Sequence, residues 1–301
     1  MIENMDERYE YMSIITKDMV KFKLPERPPE AHKGVFGKLF CLCGSRSMPG
    51  AAWLSITSAF RCGVGTVRAC VVPSIYNDVF KNIPEATFCV LEEDKDGFVS
   101  KNSIDKILES MNGCTAGLIG CGLGWTEDVK FIVSEIIKKS KIPLVIDADG
   151  INVISENIDI LRESECEIIL TPHVKEMSRL IKVEPEVIEI SKMKYASEFA
   201  KEYEVTTLIK GSKTAIGSTK GEIFVNTLGN VGMAKGGSGD VLSGMIASFL
   251  AQKLSPLDAT ICGTFIHSFA GDRCADKKSN VSMIPSDIIN ELPETFLEFK
   301  T

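Results

Sequence analysis

The chain has 301 residues, 44% hydrophobic and 25% charged, the balance of a soluble globular protein long enough to bury a full core without crosslinks. A net charge of −7, a pI near 5.2 and the lack of any basic run argue against nucleic acid as a partner; an anionic ligand must be held by local groups, not drawn in by the overall field. No apolar stretch approaches the roughly 20 residues of a membrane span, and residues 1–8 are charged, so neither membrane attachment nor a signal peptide is expected and the cytoplasm is the expected location.

Residues 1–30 are polar and carry Pro25, Pro28 and Pro29, which reads as an N-terminal arm ahead of one domain over 31–301. Apolar strand-like runs follow at 39–43, 66–72, 87–91, 116–119, 143–146, 167–170 and 206–209. Helical periodicity lies between them at 50–60, 102–111, 126–139, 173–182 and 191–203. Residues 214–227, with Gly217 and Lys220-Gly221 as turn signals, read as an antiparallel hairpin, and two helices at 240–252 and 257–275 close the chain. Short, wholly apolar strands alternating with helices imply an α/β fold whose central, mostly parallel sheet is covered on both faces. The ten cysteines are scattered with no C-x-x-C pair, and several fall in strand-like runs, so buried reduced thiols are expected rather than disulfides or a metal centre.

Ligands of open parallel sheets gather outside the C-terminal strand ends. Six glycine- or acid-rich turns leave strands in that way: 44–50, 120–124, 147–152, 171–176, 210–214 and 236–240. The last, Gly236-Gly-Ser-Gly-Asp-Val-Leu-Ser-Gly244, carries the most chemistry. Glycines allow close backbone approach to an anion, and a following helix offers unpaired N–H donors at its positive end. Asp240 falls in the first turn, either as a simple N-cap or as a general base beside an anion hole; three preceding glycines favour the base. Walker A is absent, and Gly120-Cys-Gly-Leu-Gly-Trp125 misplaces the third glycine of the dinucleotide fingerprint, which disfavours a hydride-transferring enzyme. His173 sits at a strand-to-helix turn, as a helix-start residue or a ligand contact, while His32 reads as surface and His267 as core. Asp147 and Asp149 either approach Mg²⁺ through water or tie neighbouring loops, and Lys210 either meets a phosphate or snorkels.

Taken as a set, these segments resemble the ADP/ATP-dependent NAD(P)H-hydrate dehydratases, a branch of the ribokinase-like superfamily. The resemblance runs from about Asp18 through His32-Lys-Gly-Val-Phe-Gly37, Met48-Pro-Gly-Ala-Ala52, Gly120–Gly124, Asp147-Ala-Asp-Gly-Ile-Asn152, Leu170-Thr-Pro-His-Val-Lys-Glu176, Lys210-Gly-Ser-Lys-Thr214 and Gly229–Asp240. The Gly-Gly-x-Gly-Asp run is shared with other ribokinase-like enzymes; Thr-Pro-His-x-x-Glu and His-Lys-Gly make it specific. Cys121 stands where the family often has proline, and Lys235 where a small residue is common. The resemblance implies a ribokinase-like three-layer α/β/α sandwich. It assigns Ala51, Gly122, Gly124, His173 and Asp240 to the hydrated nicotinamide nucleotide, and Lys210, Gly211, Ser212, Lys213, Thr214 and Gly239 to the adenine nucleotide. Gly237, Ser238 and Gly239 form the implied anion hole.

The implied reaction makes the C6 hydroxyl of hydrated NADH or NADPH (NADHX or NADPHX) a phosphate ester, which the ring nitrogen expels. Asp240 takes the hydroxyl proton. The donor is ADP, with ATP the alternative, accompanied by Mg²⁺ and without a dedicated protein metal site. About 30 residues before the first strand are too few for a further domain, so a separate epimerase is the expected partner. A homotetramer is the implied assembly. Two other readings use the same turns: a small-molecule kinase of the superfamily, which would release a stable phosphoester, and a catalytically idle nucleotide sensor, which has no need of a base at position 240.

Overall fold

The computed structural model describes residues 12–299. Its ten strands are β1 (Met12–Ile14), β2 (Lys38–Leu42), β3 (Thr66–Val71), β4 (Thr87–Val90), β5 (Ala116–Ile119), β6 (Leu144–Ile146), β7 (Ile168–Leu170), β8 (Thr206–Ile209), β9 (Thr214–Gly217) and β10 (Ile223–Asn226). The helices are α1 (Lys17–Lys23), α2 (Pro49–Arg61), α3 (Pro73–Asn82), α4 (Ile104–Met111), α5 (Glu127–Lys139), α6 (Asp149–Ile154), α7 (Val174–Ile181), α8 (Pro185–Ile190), α9 (Lys192–Tyr203), α10 (Ser238–Ala251), α11 (Pro256–Ser282) and α12 (Pro285–Leu297).

The strands form one sheet in the order β1-β10-β9-β8-β7-β6-β5-β2-β3-β4. From β8 to β4 every pairing is parallel, and only β9 runs antiparallel to its two neighbours. All residues of β5, β6, β7 and β8 are buried, which is why these runs are apolar without alternation. α2, α10, α11 and α12 pack together on one face, and α4 to α7 with α9 cover the other, giving the three expected layers. α5 shows the usual device, with Val129, Ile132, Val133, Ile136 and Ile137 on one buried stripe. α10 is different: Val241 through Ala251 are all buried, so it runs through the core with its first turn at the C-terminal edge of the sheet.

Chain order reverses between β2 and β5, which are hydrogen-bonded neighbours. The helices that follow these two strands, α2 and α5, therefore lie on opposite faces, and the loops leading to them mark the place where ligands of such sheets bind.

Three expectations differ. Of the arm expected over 1–30, residues 1–11 lie outside the described part; Met12–Ile14 adds to the sheet beside β10, and α1 packs on α11 through Val20, which is fully buried. A third closing helix, α12, follows the two expected, despite Pro293 inside it. The periodicity also leaves α3, α6 and α8 unmarked; α3 and α8 start on Pro73 and Pro185, where a missing N–H costs nothing. All ten cysteines are free and nine are buried, as expected. No described helix is long and apolar enough to cross a membrane.

Candidate active site

The first turn of α10 is built by Gly237, its N-cap, at φ 96° and ψ −15°. That left-handed backbone suits glycine, and no side chain caps the helix. The N–H groups of Gly237, Gly239 and Asp240 find no acceptor among the described residues, whereas Ser238 N–H donates to the Lys235 carbonyl at 3.2 Å. Of the N–H groups expected to form an anion hole, those of Gly237 and Gly239 are without an acceptor and that of Ser238 is not, while the Asp240 N–H is also without one. Asp240 is the third helical residue and caps nothing; its carboxylate is in reach of the Cys121 thiol.

Beside this turn lies a buried ion cluster. Lys210, at the end of β8, donates from Nζ to Asp147 Oδ1 at 2.6 Å and stands 4.0 Å from Glu176 Oε2. A Cβ on Gly239 would be 3.3 Å from the same Nζ, which puts the ammonium directly behind the glycine turn. Asp147 also accepts from Ser243 Oγ at 2.5 Å and from the Ala148 N–H at 2.8 Å. Burial would lower the Lys210 pKa, but Asp147 and Glu176 hold it above the usual lysine value. Burial, reinforced by Asp147, pushes Asp240 up to about 6, against the opposing pull of the Cys121 thiol and Lys210. Burial pushes Glu176 up to about 7, with Lys210 opposing and Asp147 reinforcing.

Of its two readings, His173 fulfils that of a helix-start residue. It is the N-cap of α7: Nδ1 accepts from the Glu176 N–H at 3.1 Å, and Glu176 Oε2 accepts from the His173 N–H at 2.7 Å. Its side chain is also half exposed at the site, and burial with the Lys210 charge lowers its pKa. A neutral ring follows, with Nδ1 as acceptor and the proton on Nε2.

On the far side of this cluster, the β2 and β5 loops interlock. A Cβ on Gly122 would fall 2.7 Å from the Ala51 Cβ, and Gly44 N–H donates to the Cys121 carbonyl at 2.8 Å. Gly124 N–H donates to Asp149 Oδ2 at 2.7 Å. Between the two aspartates Ala148 sits at φ 49° and ψ −115°, an uncommon backbone for alanine that turns Asp147 toward Lys210 and Asp149 toward Gly124. Both aspartates therefore tie loops together. Gly120 carries φ 114°, and a Cβ there would meet the Asp147 carbonyl at 2.0 Å. Gly120→Ala is expected to lower Tm and soluble yield sharply, measured by thermal unfolding; a parental Tm would refute the close approach.

On the opposite side, a cavity of about 710 Å³ opens between residues 210–214, the 227–235 loop, the α10 start and α11. It has His173, Lys210 and Gly239 in its wall, so it meets the ion cluster directly. His267, expected as core, is 5% exposed yet lines this cavity, with Nε2 3.5 Å from Ser238 Oγ. Burial, aided by Lys210, pushes its pKa down to about 4, so it is neutral. Lys235 Nζ bonds the Val281 and Met283 carbonyls, pinning the glycine loop to the end of α11 near the non-helical Ser279. The His32–Gly37 segment precedes β2, at the N-terminal edge of the parallel strands and away from this site.

The two raised carboxyls carry a sign. Stability tied to them is fully present below their ordinary values of 3.8 and 4.5 and is lost as pH rises through about 6 for Asp240 and about 7 for Glu176. Ionised Asp240 then costs the folded state roughly 3 kcal/mol at 1.36 kcal/mol per tenfold change. Asp240→Asn is expected to raise Tm at pH 8 by more than at pH 5, read by scanning calorimetry; an equal shift at both pH values would contradict it.

The NAD(P)H-hydrate dehydratase family matches residues 39–294. An ADP-dependent (S)-NAD(P)H-hydrate dehydratase of Bacillus subtilis is 30% identical over 285 residues, covering 95% of this chain and 98% of that protein. The crystal structure of an ADP/ATP-dependent NAD(P)H-hydrate dehydratase from the same organism, co-crystallised with ATP and Mg²⁺, superposes with a TM-score of 0.83 at 29% identity, covering 95% and 98% of the two chains. A bifunctional NAD(P)H-hydrate repair enzyme of Moorella thermoacetica is 31% identical over 280 residues, 93% of this chain and 53% of that one; the chain spans about half the length of such relatives. With the ribokinase-like fold that its solved neighbours share, the chain belongs to the NAD(P)H-hydrate dehydratase family.

Proposed function

We propose that this protein dehydrates the S form of hydrated NADH or NADPH at the expense of ADP, with ATP as the alternative donor. The observation that carries the reading is the half-buried Asp240 carboxylate, which caps no helix, placed between the interlocked Ala51 and Gly122 loops and the 710 Å³ cavity beside Lys210. The hydrated nicotinamide lies against Ala51, Gly122, Gly124, His173 and Asp240. The adenine nucleotide lies in the cavity against residues 210–214 and Gly239.

Hydroxide is a poor leaving group, so the C6 hydroxyl is first made a phosphate ester. Asp240 accepts the hydroxyl proton as the oxygen attacks the terminal phosphorus, a general-base contribution of about 10²–10⁴-fold. The N–H groups at the α10 start, backed by Lys210, hold the charge on the moving phosphoryl group, at about 10²–10³-fold for a single donor. The ring nitrogen lone pair then expels phosphate, and loss of the C5 proton restores the C5–C6 double bond. Mg²⁺ bound with the nucleotide supplies charge neutralisation. Asp147 and Asp149 are engaged with Lys210 and Gly124, so the ion would enter with the nucleotide phosphates.

An epimerase activity is the natural supplier of the S form, and a homotetramer is the expected assembly, to be checked by light scattering. The test of the reaction is incubation with NADPH hydrate, Mg²⁺ and either ADP or ATP while following the return of NADPH absorbance and free phosphate. No recovery with either nucleotide would sink the reading, and a lasting phosphoester would favour the small-molecule kinase.

A further inference from the structure

The loop over residues 210–214 rests on a buried ammonium that the reaction does not use. Lys192 is the first residue of α9, and its side chain is only 7% exposed. Its Nζ donates to the Ser212 carbonyl and to Glu189 Oε1, both at 2.7 Å. A Cβ on Gly211 would stand 2.7 Å from the same nitrogen, so the ammonium is packed against the loop. Local structure does not explain this lysine. The first turn of a helix is its positive end, where a cation is disfavoured, and burying an ammonium is unfavourable in itself.

The loop needs such a support. The N–H groups of Gly211, Ser212 and Lys213 find no acceptor among the described residues, and Lys213 has φ 58°. Apart from the Thr214 Oγ1 bond to the Gly211 carbonyl at 3.1 Å, the Lys192 contact is the side-chain tie recorded within the turn. Because a trans peptide carries its C=O and N–H on opposite sides, drawing the Ser212 carbonyl onto Lys192 turns the Lys213 N–H away from α9.

We propose that Lys192 is a positioning residue for the adenine nucleotide, fixing the 210–214 loop in the shape that presents its free N–H groups to the ligand. The proposal rests on residues 210–214 being the nucleotide site. It is tested by calorimetric titration of the full chain with ADP and Mg²⁺, and separately with NADPH, in the parent, Lys192→Met and Lys192→Arg. Loss of a hydrogen bond to a charged group is expected to weaken ADP binding by about 10- to 100-fold in Lys192→Met. NADPH binding should stay at the parent value, and Lys192→Arg should recover most of the ADP affinity. Parental ADP binding by Lys192→Met would overturn the proposal. So would an equal loss for both ligands, which marks general damage. Should Lys192→Met fail to fold, Glu189→Ala, at a half-exposed position, removes the partner of the ammonium; an unchanged ADP affinity there overturns the proposal and a fall supports it. A parent chain that binds neither ADP nor ATP would instead defeat the nucleotide reading itself, and this inference with it.

Discussion

Asp240→Asn should retain ADP and NADPH binding while turnover of NADPH hydrate falls by about 10²–10⁴-fold, the range of general-base catalysis. The substitution isolates chemistry because the carboxylate has no structural duty: Gly237 is the N-cap of α10, and Asp240 holds no backbone N–H. Its burial beside Asp147 even makes the ionised form unfavourable for the folded state, so a loss of rate accompanied by a gain in Tm at pH 8 is the joint signature expected. In the parent, the rate should fall as pH drops through about 6, when the base becomes protonated. Stopped assays across pH 5 to 8 with the parent and the variant read both effects. Equal turnover by the variant would remove Asp240 from the chemistry, and a biological effect that survives the substitution would favour a nucleotide sensor.

The fold was legible where burial on both faces left its mark. β5 through β8 are apolar at nearly every position because helices cover each side, and their alternation with amphipathic helices admits little besides a parallel sheet. The short strand β1 has three residues with no periodicity to read, and its place in the sheet comes from β10, more than 200 positions away in the chain. α12 carries Pro293 inside it, a residue that ordinarily interrupts a helix but is accommodated here within the packed one.

The site divides in the same way. Glycine and acid turns at strand exits are local signals, and the structure gathers Ala51, Gly122, His173, Lys210 and Gly239 at one edge of the sheet. What the sequence could not carry is partnership across distance. Nothing near Asp147 marks it as the counter-ion of Lys210, and His267 lies in a helix stretch whose neighbours are all core. Lys192 sits in a polar helical pattern where a lysine is ordinary, and only the fold turns it inward. The Ser238 N–H is consumed by a tight turn to Lys235, a detail of backbone geometry that glycine spacing does not encode.

Lys210→Met is expected to produce the largest combined loss, and its pH dependence identifies the cause. The ammonium is 2.6 Å from an aspartate whose side chain is 2% exposed and 4.0 Å from a glutamate whose side chain is 6% exposed. Removing it leaves buried carboxylates without a counter-charge, a change that typically destabilises by about 3–5 kcal/mol. Lys210 also opposes the upward shifts of Asp240 and Glu176, so in the variant both should titrate higher than about 6 and about 7. Two consequences follow from that sign. The destabilisation should be larger at pH 8, where both groups must ionise, than at pH 5, where both can stay protonated. Residual turnover should need a higher pH, its acid limb moving above the parental value near 6. Lys210→Arg should restore charge but not geometry, because a planar fork cannot reproduce a point contact behind Gly239. If Lys210 merely extended toward solvent, Lys210→Met would unfold at the parental temperature at both pH values and keep the parental acid limb. Thermal unfolding at pH 5 and pH 8, combined with the pH–rate profile, separates these outcomes, since only an ammonium shared by Asp147, Glu176 and the anion-binding turn couples stability and rate to the same titrations.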